Sequence, residues 1–314
     1  MTRAPVPVIC LAGPTGAGKT ALALELARQL DGEIVNADSR QVYADFPIVC
    51  AQPSAGERAI CPHHLYGFLP TPQKISAGQW ADMAHAKAIE MHERGKMPIL
   101  VGGTGMYFHA LLHGIAAIPP IDPAISTALA ERLAASGAPV LHAELATVDA
   151  AYAARIHPND SQRIVRALEV VQATGKPFSW WHENAMAAPL CHGPLYVIDA
   201  SLAWLESRLR ERIRLMLEAG ALDEGRAALQ KCSDPAAPGW SGIGCAEVLG
   251  HLQGQHSLEE CCTLWFKHTR AYAKRQLTWF HGRKEARLFL PGKENALLAD
   301  ARKLAFPHQR QQRH

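Results

Sequence analysis

The stretch Gly13-Pro14-Thr15-Gly16-Ala17-Gly18-Lys19-Thr20 decides the fold of this chain of 314 residues. It follows an apolar run at residues 8–12, which predicts a short buried strand, and it opens onto residues 21–27, which predict a helix. Glycines in such a loop let successive backbone N–H groups point at a phosphate, and the helix N-terminus adds partial positive charge. Lys19 supplies a further charge, and the Thr20 hydroxyl is placed to ligand a magnesium ion. This P-loop therefore predicts a site for a phosphate or diphosphate.

Two further strands are predicted to end beside this loop. Residues 33–37 form one and lead into Asp38-Ser39-Arg40-Gln41, while residues 98–101 form another and lead into Gly102-Gly103-Thr104-Gly105. Strands that alternate with helices indicate a parallel sheet, and the carboxyl ends of its strands face one ligand crevice. The sequence thus predicts an α/β fold, a P-loop NTPase-like parallel sheet flanked by helices, with Asp38 and Thr104 near the P-loop.

A change of composition predicts an all-helical subdomain inserted into this core. We assign residues 1–116 to the first part of the core, 117–190 to the insertion, 191–300 to the second part of the core, and 301–314 to a basic tail expected to be disordered.

Several local patterns predict elements within these parts. Residues 44–78 carry several prolines and no clean periodicity, so we expect an irregular stretch. A helix at 161–171 should bury an apolar stripe and expose Arg163 and Arg166. Residues 258–280 should form a long final helix. The predicted stripe consists of Ile164, Val165, Leu168 and Val171, and we expect Phe178, Trp180 and Trp181 to lie in the loop that follows.

Composition excludes several classes of protein. A hydrophobic fraction of 48%, a charged fraction of 19% and a net charge of +3 are ordinary for a globular protein and too mild to indicate nucleic-acid binding by themselves. We expect no membrane span and a cytoplasmic location. The eight cysteines form no C-x-x-C pair, so they predict neither a zinc ribbon nor a redox motif.

The P-loop alone favours a nucleotide kinase or NTPase. Asp38 could hold the magnesium ion of a kinase, and the helix carrying Arg208, Arg210, Arg212 and Arg214 could neutralise a transferred phosphoryl group. That helix could equally be a solvated face paired with Glu206 and Glu211. Basic residues nevertheless cluster at 162–166, 208–214 and 267–275, and arginines near aromatic side chains suit an unstacked base and its phosphates.

The ordered motifs resemble the tRNA isopentenyltransferase family, also called the tRNA dimethylallyltransferase or IPP transferase family, over nearly the whole chain. The matching segments are the P-loop, Asn36-Ala37-Asp38-Ser39-Arg40-Gln41-Val42-Tyr43, Val101-Gly102-Gly103-Thr104-Gly105-Met106-Tyr107, Arg155-Ile156-His157-Pro158-Asn159-Asp160 through Arg163 and Arg166-Ala167-Leu168-Glu169, and Lys274-Arg275-Gln276-Leu277-Thr278-Trp279-Phe280. The resemblance implies transfer of a dimethylallyl group from dimethylallyl diphosphate to N6 of adenosine 37 in tRNAs that read codons beginning with U.

The resemblance also implies roles for individual residues. Asp38 is expected to act as the base, and Thr104 to form a hydrogen bond at the reacting centre. The diphosphate is expected on residues 13–20, with Mg²⁺ on Thr20 and with either Arg212 or Arg208 as the assisting arginine. The implied tRNA contacts are Asp38, Ser39, Arg40, Gln41, Thr104, Ser126, Gln162, Arg163, Ile164, Val165, Arg166, Ser241, Gly242, Ile243, Gly244, Cys245, Ala246, Glu247, Lys274, Arg275 and Gln276.

The chain departs from the family pattern at four of these positions. The family carries a tyrosine and a basic residue where this chain has Cys245 and Ala246, and arginines where it has Ser126 and Ser241. We expect intact catalysis, possible changes in tRNA affinity, and a monomer that binds the anticodon stem-loop. A small-molecule kinase and an RNA-binding homologue that has lost turnover are the alternatives.

Overall fold

The computed structural model describes residues 5–305. They divide into two compact units, of which the second is His113–Ala188 and the first is formed by the chain on either side of it. No helix within residues 5–305 is long and apolar enough to cross a membrane.

The first unit contains eight strands and most of the helices of the described chain. The strands are β1 (Val6–Pro7), β2 (Ile9–Ala12), β3 (Gly32–Asn36), β4 (His63–His64), β5 (Met97–Gly102), β6 (Cys191–His192), β7 (Leu195–Ile198) and β8 (Ala286–Phe289). The helices are α1 (Lys19–Leu30), α2 (Ala55–Ile60), α3 (Ala77–Glu93) and α4 (Gly105–His113), then α10 (Leu202–Glu218), α11 (Ala221–Lys231), α12 (Cys245–Leu252), α13 (Leu258–His281) and α14 (Glu294–Ala305), with a 3₁₀ turn at Pro238–Ser241.

Six of these strands form one parallel sheet in the order β4-β3-β5-β2-β7-β8. The strand before the P-loop, β2, lies in the interior of the sheet between β5 and β7, and all four of its residues are buried. Strands covered on both faces read as continuous apolar runs, which is why β2 and β5 stand out in the sequence. The predicted α/β fold with a parallel sheet flanked by helices is confirmed.

Helices on the sheet faces complete the core. The buried side chains Leu22, Leu26 and Leu30 of α1 pack in one cluster with Leu11 and Ile99 of the sheet. Their spacing of four residues places them on one face of the helix. Helix α14 adds further apolar side chains, Leu297, Leu298 and Ala301, to the same cluster.

The second unit is helical. Its helices are α5 (Pro123–Ser136), α6 (Ala138–Val148), α7 (Ala150–Ala153), α8 (Ser161–Thr174) and α9 (Phe178–Asn184). They enclose a separate core that includes Leu129, Leu141, Leu145 and Leu168. Asp160 caps α8 by accepting a hydrogen bond from the N–H of Arg163.

Several local predictions are wrong. Residues 44–78 contain α2 and β4, and a capping box between Ser54 and Glu57 starts α2. Helix α13 is not the last element, because β8 and α14 follow it. Residues 301–305, expected to begin a disordered tail, complete α14, and the rest of the predicted tail lies outside the described residues.

The second unit brings two more corrections. The buried face of α8 is formed by Ile164, Ala167, Leu168 and Val170, whereas Val165 and Val171 are only half-buried. Phe178, Trp180 and Trp181 lie in α9 and not in a loop. Phe178 packs against the core of this unit, and the Lys176 ammonium lies 3.5 Å from the ring centre of Trp180. Packing in the core thus accounts for the presence of an aromatic residue at Phe178, whereas Trp180 is half-exposed.

Candidate active site

The first unit contains a cavity of about 380 Å³ at the carboxyl ends of its central strands. Its lining combines the P-loop, the turn after β3, the end of β5 and faces of α10 and α13. Pockets of roughly 300–1,000 Å³ with a few convergent polar groups are typical small-molecule sites. The polar groups that line it include Lys19, Thr20, Asp38 and Arg212.

The P-loop takes the strained path that its glycines permit. Gly16 and Gly18 have φ of +80° and +86°, in the left-handed region that favours glycine. Gly18 directly precedes α1, so the helix begins at Lys19 with its first N–H groups at the cavity. Such a helix start attracts an anion.

Lys19 is held inside this loop. Its Nζ donates hydrogen bonds to the carbonyl oxygens of Gly13 and Pro14, each at 2.9 Å. Burial lowers the pKa of Lys19 to about 8, while the nearby charge of Asp38 raises it and that of Arg212 lowers it further. A lysine whose pKa lies this close to neutrality changes charge within the range of ordinary assays.

We expect kcat/KM for a diphosphate substrate to fall as the pH rises through about 8. The ammonium form of Lys19 is present below its pKa of about 8 and is lost above it, and only that form attracts a diphosphate. Steady-state rates across this range measure the effect. A Lys19→Arg variant stays charged, so any activity it retains should lack the fall, and a wild-type profile that is flat above pH 8 would exclude Lys19 as the titrating group.

Asp38 lies just beyond the end of β3, and local hydrogen bonds fix its backbone. The Asn36 Oδ1 accepts from the N–H of Asp38 at 2.8 Å, and the Asn36 Nδ2 donates to the Asp38 carbonyl at 3.0 Å. The Asp38 Oδ1 accepts from the N–H of Arg40 at 2.9 Å. The carboxylate is half-buried in the cavity wall, and its charge acts on both Lys19 and Arg212. The structure thus brings Asp38 and the P-loop together.

Thr104 supports the turn that carries Asp38. Its Oγ1 accepts a hydrogen bond from the Ser39 N–H at 2.9 Å and donates to the Ser39 Oγ at 3.2 Å. Its own N–H donates to the carbonyl of Ala37 at 3.2 Å. The hydroxyl is therefore already engaged with Ser39, and its expected role at the reacting centre stays a prediction.

Gln276, which is expected to contact tRNA, lies in the interior of the first unit. It is 4% exposed on α13, and its Oε1 accepts from the N–H of Thr15 at 3.0 Å while its Nε2 donates to the carbonyl of Gly103 at 3.0 Å. A Cβ at Gly103 would lie only 2.0 Å from that Nε2, so a larger residue there would displace the Gln276 amide. Gln276 therefore joins the P-loop to the glycine turn after β5.

The two candidate arginines occupy different places. Arg212 lines the cavity with Lys19 and Asp38, and burial lowers its pKa while the charge of Asp38 raises it. Arg208 is exposed; its Nε donates to the Gly16 carbonyl at 3.1 Å, and its guanidinium lies 4.4 Å from the ring centre of Trp204. Arg212 is thus placed to meet a bound group, and Arg208 braces the outside of the loop.

The other residues expected to bind tRNA in the first unit are placed in several ways. Arg40 donates to the carbonyls of Pro238 and Gly239 at 3.1 and 2.7 Å, and Gln41 donates to those of Cys50 and Ala51. These two side chains thus build the cavity wall. Ser241, Ala246, Lys274 and Arg275 are exposed, Ile243 is half-buried, and Gly242 and Gly244 are buried backbone positions.

Two side chains of the loop predicted to contact RNA are buried. Cys245 lies in an apolar cluster, and Glu247, 5% exposed, accepts from the Gly244 N–H at 2.5 Å and from the His268 ring at 2.6 Å. Neither side chain is exposed, and the expected contact of Cys245 and Glu247 with tRNA stays a prediction.

In the second unit, Gln162, Arg163 and Arg166 are exposed on α8 and Ser126 is half-buried on α5. The two arginines pair loosely with Asp160 and Glu169, at 3.5 and 3.2 Å, which leaves them available to phosphates. Ile164 is buried in the core of this unit, and its expected contact with RNA stays a prediction.

Sequence reasoning missed one face of α13. Trp265, Thr269 and Tyr272 all line the cavity, at helical spacings of four and three residues. The Thr269 Oγ1 is buried and has no hydrogen-bond partner among the described residues. Burial and the charge of Asp38 raise the pKa of Tyr272. The helical spacing of these residues, which continues to Gln276, could have indicated from the sequence that they share one face of α13.

The cavity chemistry also fits a magnesium ion. Thr20 lines the cavity next to Lys19 and carries a hydroxyl group. Mg²⁺ takes oxygen ligands, keeps several waters and is usually shared between one or two protein groups and substrate phosphates. One protein hydroxyl beside an anion site meets that requirement.

The chain is similar in sequence and structure to proteins of one known family. A model of the family described as IPP transferase matches residues 41–284. A tRNA dimethylallyltransferase of Desulfovibrio desulfuricans is 62% identical over 296 residues, which cover 94% of this chain and 92% of that protein. The crystal structure of the tRNA isopentenylpyrophosphate transferase from Bacillus halodurans matches at 30% identity with a TM-score of 0.70, covering 98% and 99% of the two chains. A eukaryotic dimethylallyltransferase acting on tRNA matches at 28% identity with a TM-score of 0.76, covering 96% of this chain and 78% of that one.

Proposed function

The chain belongs to the IPP transferase family, and we propose that it transfers a dimethylallyl group from dimethylallyl diphosphate to N6 of adenosine 37 in tRNA, with release of diphosphate. The observation that carries this proposal is the composition of one cavity. Phosphate-binding groups line one part of it, and apolar side chains of α10 and α13, among them Ile213, Met216 and Trp265, line another. A donor with a charged head and an apolar tail suits both parts.

On the donor side, the carbon–oxygen bond to the diphosphate breaks and its electron pair leaves with the diphosphate. Lys19, the N–H groups at the start of α1 and Arg212 are placed to stabilise this growing negative charge. The apolar wall would hold the dimethylallyl group and exclude water from the allylic carbon. Thr20 would hold Mg²⁺, which when bound would supply additional neutralisation of the negative charge of the diphosphate.

On the acceptor side, the N6 amine of adenine is a weak nucleophile because its lone pair is delocalised into the ring. Asp38 would accept one N6 proton as the new carbon–nitrogen bond forms, which is worth about 10²–10⁴-fold. The target base must leave its stack to reach a cavity lined by Asp38 and Tyr272. The proton thus ends on Asp38 and the electron pair on the diphosphate.

The exposed basic residues support a tRNA substrate. Lys274 and Arg275 on α13 and Arg163 and Arg166 on α8 provide exposed positive charge, and the two arginines of α8 form only loose ion pairs. We propose that they contact the anticodon stem-loop of tRNAs that read codons beginning with U. As the family resemblance implies, we also propose a monomer that acts in the cytoplasm.

A transfer assay tests the function. Protein incubated with Mg²⁺, labelled dimethylallyl diphosphate and unmodified tRNA should place label on the tRNA, and a chelator should reduce the rate. An unmodified tRNA with guanosine at position 37 is the control and should stay unlabelled. Phosphoryl transfer from ATP to a small molecule, without labelling of tRNA, would favour a kinase instead. Salt-dependent tRNA binding without product would indicate a homologue that has lost turnover.

A further inference from the structure

Helix α11 contributes a carboxylate that no step of the reaction uses. The Glu224 Oε1 accepts a hydrogen bond from the N–H of Ile48 at 2.6 Å, and its Oε2 accepts from the N–H of Val49 at 2.8 Å. Burial raises the pKa of Glu224, the two backbone hydrogen bonds lower it, and the Asp45 carboxylate raises it. A half-buried carboxylate beside a like charge is costly, so its place here calls for a reason other than ion pairing.

The segment that Glu224 holds is strained and tied down on several sides. Ala51 has a φ of +48°, in the left-handed region that a residue with a Cβ rarely adopts. The Gln41 Nε2 donates to the carbonyls of Cys50 and Ala51 at 3.1 and 2.6 Å, and the Gln52 Nε2 donates to that of Tyr43 at 2.7 Å. Strained backbone of this kind persists only where the surroundings fix it, and it clusters at functional sites.

The same segment forms part of the cavity wall. Val49, Cys50 and Ala51 line the cavity that also contains Lys19 and Arg212. Space behind the segment is tight, because a Cβ added at Gly244 would lie 2.7 Å from the Val49 Cγ1. A small movement of residues 48–51 would therefore change the shape of the cavity directly.

We propose that Glu224 is a positioning residue that holds residues 48–51 in the shape required to bind the prenyl diphosphate donor. This inference rests on the proposed function. Glu224 does not itself line the cavity; it acts through the backbone N–H groups of residues 48 and 49, and Val49 packs in one apolar cluster with Met216 and Trp265 of the cavity wall. Weakening these bonds should impair donor binding far more than the chemical step.

Glu224→Gln tests the proposal, since glutamine keeps the size but can accept only one of the two hydrogen bonds. We expect KM for dimethylallyl diphosphate to rise about tenfold, the loss expected for one charge-assisted hydrogen bond, with kcat and KM for tRNA nearly unchanged. Glu224→Ala removes both acceptors and should raise the same KM further. Asp223→Asn is the matched control, because Asp223 has a side chain 82% exposed, pairs with Arg226, and should leave all constants unchanged.

Hydrogen–deuterium exchange of the peptide covering residues 46–52 gives a readout independent of activity. Exchange should be faster in Glu224→Gln than in the Asp223→Asn control while the rest of the chain and the melting temperature stay similar. An unchanged donor KM in Glu224→Gln, or a lower melting temperature with no change in KM, would overturn the proposal. Failure of the wild-type protein to label tRNA would instead overturn the proposed function, so the two failures are distinguishable.

Discussion

Replacing Asp38 with asparagine should lower kcat for dimethylallyl transfer by about 10²–10⁴-fold, because the variant can no longer accept the N6 proton. The amide oxygen can still accept from the N–H of Arg40, so the turn after β3 should keep its shape. The affinity for tRNA should therefore change little. Single-turnover transfer with saturating tRNA measures the chemical step, and tRNA binding at fixed salt measures the affinity.

Asp31→Asn provides the matched control. Asp31 lies at the other end of the same strand, directly before β3, and pairs with Lys96 at the surface. We expect wild-type transfer in this variant. An Asp38→Asn enzyme that loses only a few-fold in kcat would show that a different group, or solvent, takes the proton.

Replacing Arg212 with glutamine should lower kcat/KM for dimethylallyl diphosphate by about 10²–10³-fold, the usual cost of one preorganised group that stabilises a developing charge. Arg212 lines the cavity together with Lys19, whereas Arg208 contacts the outside of the P-loop through the Gly16 carbonyl. Arg208→Gln should therefore cost only a few-fold. The ratio of the two effects decides which arginine assists departure of the diphosphate.

Arg214→Gln is the control for this pair. Arg214 lies on the same helix, is exposed, and pairs with Glu211 and Glu218, so it should leave transfer unchanged. A larger loss in Arg208→Gln than in Arg212→Gln would reverse the assignment. Reduced affinity for tRNA in Arg212→Gln, without an effect on the donor, would place Arg212 in the acceptor site instead.

The parts of the fold that depend on local sequence were predictable. The P-loop lies between an apolar strand and a helix, and the glycine turn after β5 follows another apolar run, so both elements and their common edge follow from short patterns. β8 was missed because it is a partly exposed edge strand that lacks a continuous apolar run. Helix α9 was not predicted, because Pro177 was interpreted as part of a turn. In the structure Pro177 directly precedes α9, and the aromatic residues lie in that helix.

Only those residues of the candidate site that belong to a sequence motif of known geometry could be placed from the sequence. Asp38 and Lys19 stand at fixed offsets from recognisable strands, so their meeting could be expected. Gln276 belongs to an equally recognisable motif, but its burial against Thr15 and Gly103 is decided by tertiary packing that the pattern of α13 does not reveal. The burial of Cys245 is likewise decided by tertiary packing. This side chain lies in a buried cluster with Trp265 and does not form part of an exposed surface.

Gln276 comes late in the chain, so its hydrogen bonds to the P-loop and to the glycine turn can form only late in synthesis. Thr15 precedes Gln276 by 261 residues and Gly103 precedes it by 173, so both leave the ribosome long before their partner. Strands β7 and β8, which extend the sheet beyond β2, also come from the later half of the chain. A nascent chain that ends before α13 carries the whole phosphate-binding motif without the side chain that secures it. The full set of contacts around the P-loop can therefore form only after α13 has been synthesised.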